Sequence, residues 1–235
     1  MLFRSEKPWG GMEPFDQTVQ QVLSRHGHIH TQMFSDHAHY LIPGGENYTN
    51  GFTAWDVYRG QEGDPVYVKP DENGIRAEQR PEGFKGVYSE AEKENLSHFT
   101  NEYEFPSVKT LHQAARWLDD NHEADQFFLW AECFDPHEPY DAPKFYLDLY
   151  ENDGDYDGAD FRHPSYSENE FTEAETRHLV NRCKALMTMT DRHLGEIFDV
   201  MDRYNMWKDT LLIFTTDHGF HLGEHGYMEI GRAHV

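Results

Sequence analysis

Basic residues are scarce in this sequence: 20 Lys and Arg stand against 43 Asp and Glu, a formal net charge of −23 over 235 residues. A surplus of that size repels nucleic acid and anionic membrane surfaces over long range, which argues against a DNA- or RNA-binding role. An anionic substrate meets the same field and needs a bound cation and local imidazoles to offset it. Cysteine is nearly absent as well. Cys133 and Cys183 are the only two, and nothing in their spacing suggests a metal pair or a disulfide framework, so both are expected to be small core residues. No apolar run is long enough to span a bilayer, and the opening Met1-Leu-Phe-Arg-Ser-Glu-Lys7 lacks the apolar centre of a signal peptide, so no compartment is assigned. Neither an internal repeat nor an interdomain linker is visible. What is present, 37% hydrophobic and 14% aromatic residues, suffices for one folded domain with a sizeable core.

Periodicity gives an α/β alternation. Phe15, Val19, Val22 and Leu23 fall on one helical face, and Gly27 ends that helix before a predicted strand from His28 to Phe34. From Pro43 to Asn101 the chain is rich in Gly, Pro, Asn and charge, with Tyr48, Phe52, Trp55 and Tyr58 as aromatic anchors; it reads as a long insertion with little regular structure. Pro106 and Ser107 open a helix whose apolar face is Val108, Leu111, Ala115 and Leu118, and a strand from Phe127 to Cys133 follows. Asp141 to Glu170 is polar. Within it Asp153, Asp155, Asp157 and Gly158 copy the first half of an EF-hand loop, but the twelfth position is Pro164 where a bidentate Glu is required, so a solvated acidic loop is expected. Thr172 and Glu175 form a capping box for the longest helix, whose Leu179, Cys183, Leu186, Thr190, Leu194, Ile197 and Met201 should pack on a sheet face.

The chemistry concentrates near loop positions that follow strands. Leu211 to Phe214 form an apolar run without polar alternation, as expected of a central parallel strand covered on both faces. Asp217 and His218 follow it, at the carboxyl edge where open α/β sheets bind ligands, and Gly219 and Gly223 allow the backbone to turn there. A carboxylate beside an imidazole suits a divalent cation that draws further ligands from elsewhere. His137 lies between two prolines in Asp135-Pro-His-Glu-Pro-Tyr140, which restrict the backbone so that the ring can be held at a set angle. Such an imidazole can hydrogen-bond an oxyanion or protonate a leaving group. His37 and His39 form a His-x-His pair, and alternation in an extended segment would put both rings on one side. His221, Glu224 and His225 lie near the Asp217 motif without an assignable role.

Four stretches together are similar to one known family. Asp209-Thr-Leu-Leu-Ile-Phe-Thr-Thr-Asp-His-Gly-Phe-His-Leu-Gly-Glu-His-Gly226 resembles the C-terminal metal-binding motif of the sulfatases, members of the alkaline-phosphatase-like superfamily. Phe127-Phe-Leu-Trp-Ala-Glu-Cys-Phe-Asp-Pro-His-Glu-Pro-Tyr140 looks like the sulfatase strand that ends in a His-x-Pro loop. Pro43-Gly-Gly-Glu-Asn-Tyr48 and Arg59-Gly-Gln-Glu-Gly-Asp64 are similar to segments of bacterial sulfatase-like hydrolases. The resemblance implies an alkaline-phosphatase-like, mostly parallel α/β sheet flanked by helices, incomplete at both ends, with residues 1–235 forming part of a catalytic domain and 43–101 its long insertion. It implies hydrolysis of an anionic small-molecule or glycan sulfate ester, with Asp217 and His218 on a divalent cation, calcium first and magnesium or manganese as alternatives. His137, His37 and His39 are the implied catalytic residues.

The chain also departs from the family pattern. Sulfatases attack with a formylglycine hydrate made within a Cys/Ser-x-Pro-x-Arg motif, and neither cysteine nor any serine has that context. No Asp-Asp pair follows a first strand, His37 stands where many sulfatases have Lys, and no Lys follows Gly226. The expectation is therefore that Met1 is an internal methionine and the nucleophile lies upstream, leaving this chain inactive by itself. One permitted coding of Glu229 to Val235, GAG ATC GGA AGA GCA CAC GTC followed by TGA, resembles a sequencing-adapter string, so 229–235 is expected to be a non-native tail. A phosphodiesterase or phosphonate monoester hydrolase on the same scaffold, and a non-catalytic metal- or glycan-binding protein, are the alternative readings.

Overall fold

The computed structural model describes residues 11–41, 45–67, 86, 89–150, 156–158, 162–164, 167–168, 171–224 and 227–230. Its main sheet is parallel. β1 (His30–Ser35) lies between β2 (Ala54–Val57) and β3 (Phe127–Glu132), with Ser35 level with Val57 on one side and Glu132 on the other. Parallel neighbours require crossovers, and their shared direction brings all three carboxyl ends to one edge. β1 is buried yet polar, and its side chains are satisfied locally: the Thr31 hydroxyl donates to the Gly51 carbonyl at 3.2 Å and the Ser35 hydroxyl accepts the His37 N–H at 3.0 Å.

Helices cover this sheet. α1 (Val19–His26) packs on β1, is capped by the Thr18–Gln21 box and ends at Gly27 as expected. Its anticipated apolar face is not buried, however: Phe15 lies before the helix, and Phe15, Val19 and Val22 are exposed. α2 spans Glu90–Ser97, and α3 (Pro106–Asp120), opened by Pro106, packs on β1 and β3. A short α4 (Lys144–Leu147) leads towards α5 (Glu173–Arg203), where the Glu175 N–H donates to the Thr172 hydroxyl at 3.3 Å and the Thr172 N–H donates back to the Glu175 carboxylate at 2.6 Å. α5 packs along α3, and its C-terminal half shares a core with the sheet, where Ile197, Val200 and Met201 meet Phe34 and Leu129. Leu179, Leu186 and Met189 are fully buried in a second core around Tyr140 and Tyr146. Burial of each such side chain contributes about 1.5–3 kcal/mol. Cys183 is buried in α5 and Cys133 is half-buried after β3, both as free thiols.

A small antiparallel sheet, ordered β4-β6-β5, is formed by β4 (Ser167–Glu168), β5 (Phe220–Leu222) and β6 (Tyr227–Ile230). No helix among the described residues is long and apolar enough to cross a membrane.

The structure corrects three expectations. Residues 43–101 are not merely an insertion, because they contribute β2 to the main sheet and also α2. Leu211 to Phe214 is not a central strand. The segment belongs to no ladder among the described residues, and Leu211, Ile213 and Phe214 are 84%, 73% and 80% exposed. An apolar composition makes a strand only where a neighbour takes its backbone N–H and C=O groups. Finally, His37 and His39 do not alternate along an extended chain, because Ala38–Leu41 is a 3₁₀ turn. Of the acidic loop, Asp153 and Asp155 lie outside the described residues, as do His225, Pro43 and residues 231–235 of the anticipated tail; Glu229 and Ile230 lie in β6.

Candidate active site

Four of the five proposed site residues bring their rings into one row at the carboxyl edge of the main sheet, with Phe134 between them. The 3₁₀ turn after β1 holds His37 and His39 edge to face, with ring centres 5.0 Å apart. Phe134, just beyond β3, lies 5.4 Å from His37, 6.4 Å from His39 and 4.4 Å from His137. His137 is 5.9 Å from His218, and Phe220 of β5 packs edge-on against both. His37 and His137, 100 positions apart in the sequence, thus meet through loops that leave β1 and β3 on the same side, and His218, before β5, joins them.

The ring of His137 is oriented by its own loop. Its Nδ1 lies 2.7 Å from the Glu138 carbonyl oxygen, with the Glu138 carboxylate at 3.5 Å. A carbonyl only accepts, so Nδ1 carries the proton and Nε2 is the atom left for chemistry. The Asp135–Pro136 and Glu138–Pro139 peptide bonds on either side are both cis. Tyr140 anchors the end of the loop: its N–H donates to the Arg162 carbonyl at 2.9 Å, and its carbonyl accepts the Arg182 Nε–H at 3.2 Å. Arg162 also pairs with Asp141 at 3.0 Å and with Glu92 at 3.4 Å.

His37 faces a carboxylate. Its Nδ1 is 3.4 Å from Glu132 Oε1, while the Tyr40 hydroxyl lies 2.8 Å from both Glu132 oxygens and Trp130 Nε1–H donates from 3.0 Å. Burial opposes the Glu132 charge, but hydrogen bonds from His37, Trp130 and Tyr40 outweigh it and hold the carboxyl below its usual pKa. The same surroundings push the Tyr40 hydroxyl well up, through burial first and then the Glu132 charge, with a smaller contribution from Asp217. Burial and then the neighbouring His37 lower the His39 imidazole.

Asp217 and His218 are adjacent but differently placed. The Asp217 carboxylate is 84% exposed; Oδ1 accepts the His218 N–H at 2.9 Å and Oδ2 lies 3.5 Å from His218 Nε2. Among the described residues no three His, Cys, Asp or Glu side chains are arranged to hold a metal ion. Gly223 takes φ 101° in the turn after β5, a conformation that favours glycine.

Sequence reading passed over Glu132, Tyr40, Asp36 and Gln61. Glu132 had a signal, since a carboxylate at the end of the apolar Phe127–Glu132 strand is an unusual residue to half-bury. Asp36 and Gln61 lacked one, because their proximity is made by the sheet.

This geometry can be set beside known proteins. The profile of the Sulfatase family matches residues 14–234. The chain is 30% identical over 151 residues to the choline-sulfatase of Rhizobium meliloti and 24% identical over 138 residues to an arylsulfatase of Clostridium perfringens, alignments that cover 58% and 54% of this chain. They span only 29% of each relative. The crystal structure of the phosphonate monoester hydrolase of Agrobacterium radiobacter superposes on 94% of this chain and 50% of its own, with a TM-score of 0.59 at 16% identity. The fold is thus that of the alkaline-phosphatase-like α/β hydrolases. The chain belongs to the sulfatase family.

Proposed function

We propose that the protein containing this chain hydrolyses sulfate monoesters, using a divalent cation, and that His37, His39 and His137 bind the ester and move protons. The observation that carries this reading is the convergence of these three rings on Phe134, with His218 next to His137. His137 presents Nε2 with its tautomer fixed. In the charged ring Nε2–H donates a hydrogen bond to a sulfuryl oxygen or gives its proton to the departing alcohol oxygen. His37 lies beside it at the same sheet edge, its Nδ1 backed by Glu132. Phe134 and Phe220 give the row an apolar flank on which these interactions would be strengthened.

Asp217 and His218 would hold the cation. Their hard oxygen and imidazole nitrogen fit two positions of a divalent shell, with calcium favoured and magnesium or manganese as alternatives. When bound, the ion supplies positive charge that offsets both the sulfuryl oxygens and the protein's net charge of −23.

Neither thiol of this chain serves as the nucleophile. Burial pushes Cys183 up to about 11 and raises Cys133 well above its ordinary value, so both are protonated at neutral pH. A formylglycine from a Cys/Ser-x-Pro-x-Arg motif is the nucleophile we propose for the whole protein, and the 235-residue chain alone should turn over no ester. The names of the choline-sulfatase and arylsulfatase relatives support a small-molecule sulfate ester as substrate; a glycan sulfate has the same reacting group. Phosphate and phosphonate esters are the competing class, because the same imidazoles suit either oxyanion.

Oxyanion binding can be tested on this chain directly. Inorganic sulfate added to ¹⁵N-labelled protein with calcium chloride should shift the His37 and His137 ring signals saturably. Signals that stay fixed in a large excess of sulfate would count against the reading.

A further inference from the structure

The Arg59–Asp64 loop has so far had no function, although its sequence stood out. It is closed on itself: Arg59 Nε–H donates to Asp64 at 3.0 Å, the Gly60 N–H donates to the same carboxylate at 3.0 Å, and the Asn95 amide donates to the Gly60 and Asp64 carbonyls at 3.1 and 2.7 Å. Gly60 adopts φ 117°, and a Cβ there would come within 3.2 Å of the Phe99 ring. The loop thereby directs the Gln61 side chain between the ends of β1 and β3. Gln61 Nε2 lies 2.7 Å from Asp135 Oδ1 and 3.3 Å from Asp36 Oδ2. Both carboxyls are buried, Asp36 completely. The remaining oxygen of Asp36 accepts the Phe134 N–H at 2.7 Å, and that of Asp135 accepts the Ser107 hydroxyl.

We propose that Gln61 is a positioning residue whose side-chain amide bridges Asp36 and Asp135 and so sets the spacing of His37, which follows Asp36, and His137, which lies two residues after Asp135. This rests on the reading of those histidines as the reacting pair. One amide group supplies two N–H donors, which matches two carboxyls on opposite sides. Two buried carboxylates so close repel one another, and burial pushes Asp135 to about 7 and Asp36 well above the usual carboxylate range, so the pair retains a proton near neutrality. Without the amide, two buried acceptors lose their shared donor and the strand ends have reason to separate.

The test is ¹⁵N-histidine NMR of the 235-residue chain without substrate. Gln61→Leu should move the His37 and His137 signals and leave His193, buried on α5 beside Glu102 and Tyr103, unmoved. Gln61→Glu puts a third carboxyl in the bridge and should also move both; the double variant Gln61→Glu/Asp135→Asn again has two carboxyls and one amide, and should bring both back towards wild type. Unmoved His37 and His137 signals in folded Gln61→Leu protein would overturn the proposal. If that variant does not fold, the exchange decides it: no restoration by the double variant rejects the bridge. Because no ester is present, failure of the bridge and failure of the sulfate-ester reading give separate results.

Discussion

His137 Nδ1 lies 2.7 Å from the carbonyl oxygen of its neighbour Glu138. The acceptor is backbone, so the tautomer belongs to the loop rather than to any side chain. Histidine ¹⁵N shifts should report a protonated Nδ1 in the neutral ring, and Glu138→Gln should leave that assignment unchanged. A neutral ring protonated at Nε2 would remove the proposed proton donor's orientation.

The carboxyl pair makes stability depend on pH with a definite sign. Asp135 has an ordinary value of 3.8 and is pushed to about 7 in the fold, so between those values the native state binds more protons than the unfolded one. Its contribution is fully present below 3.8, falls as pH rises, and is lost by about 7. Urea denaturation across this window should show stability declining with pH, and Asp135→Asn should flatten the slope while Asp36, also raised, leaves a residue of it. An unchanged slope in Asp135→Asn would mean that Asp135 is ionised in the fold at acid pH.

The α5 capping box gives a local test of the scaffold. Thr172→Ala removes the acceptor of the Glu175 N–H and should cost about 1 kcal/mol in urea denaturation. In the core, Leu186 is fully buried, and Leu186→Ala should cost roughly 2–5 kcal/mol. A loss below that of the surface cap would contradict the packing described.

Leu211 to Phe214 is apolar and mostly exposed. Such a segment invites pairing with another chain despite the general negative charge. Sedimentation should show concentration-dependent self-association that Ile213→Lys reduces, with little change in Tm because Ile213 is 73% exposed. A lowered Tm without any change in association would mean that the segment is packed in solution.

The sequence already contained the local devices: the Thr172–Glu175 box, the Pro106 start of α3, the Gly27 stop and the strands around Met33 and Leu129. Periodicity and capping depend on neighbours along the chain, and these elements formed where expected. The candidate residues were legible through strand ends and family resemblance, but the convergence of His37, His39 and His137 on Phe134 was not, since it depends on the parallel register of β1 and β3. The roles of Glu132 and Gln61 needed the same register. Leu211 to Phe214 failed in the opposite direction, because composition specifies what suits a strand but supplies no partner.

The most direct measurement compares hydrolysis of para-nitrophenyl sulfate and para-nitrophenyl phosphate by the whole protein, wild type and His137→Ala, with calcium present. The account predicts that the sulfate ester has the higher kcat/KM and that His137→Ala lowers it by on the order of 10²–10⁴-fold. A preference for the phosphate ester, or full sulfatase activity without the His137 imidazole, would contradict it.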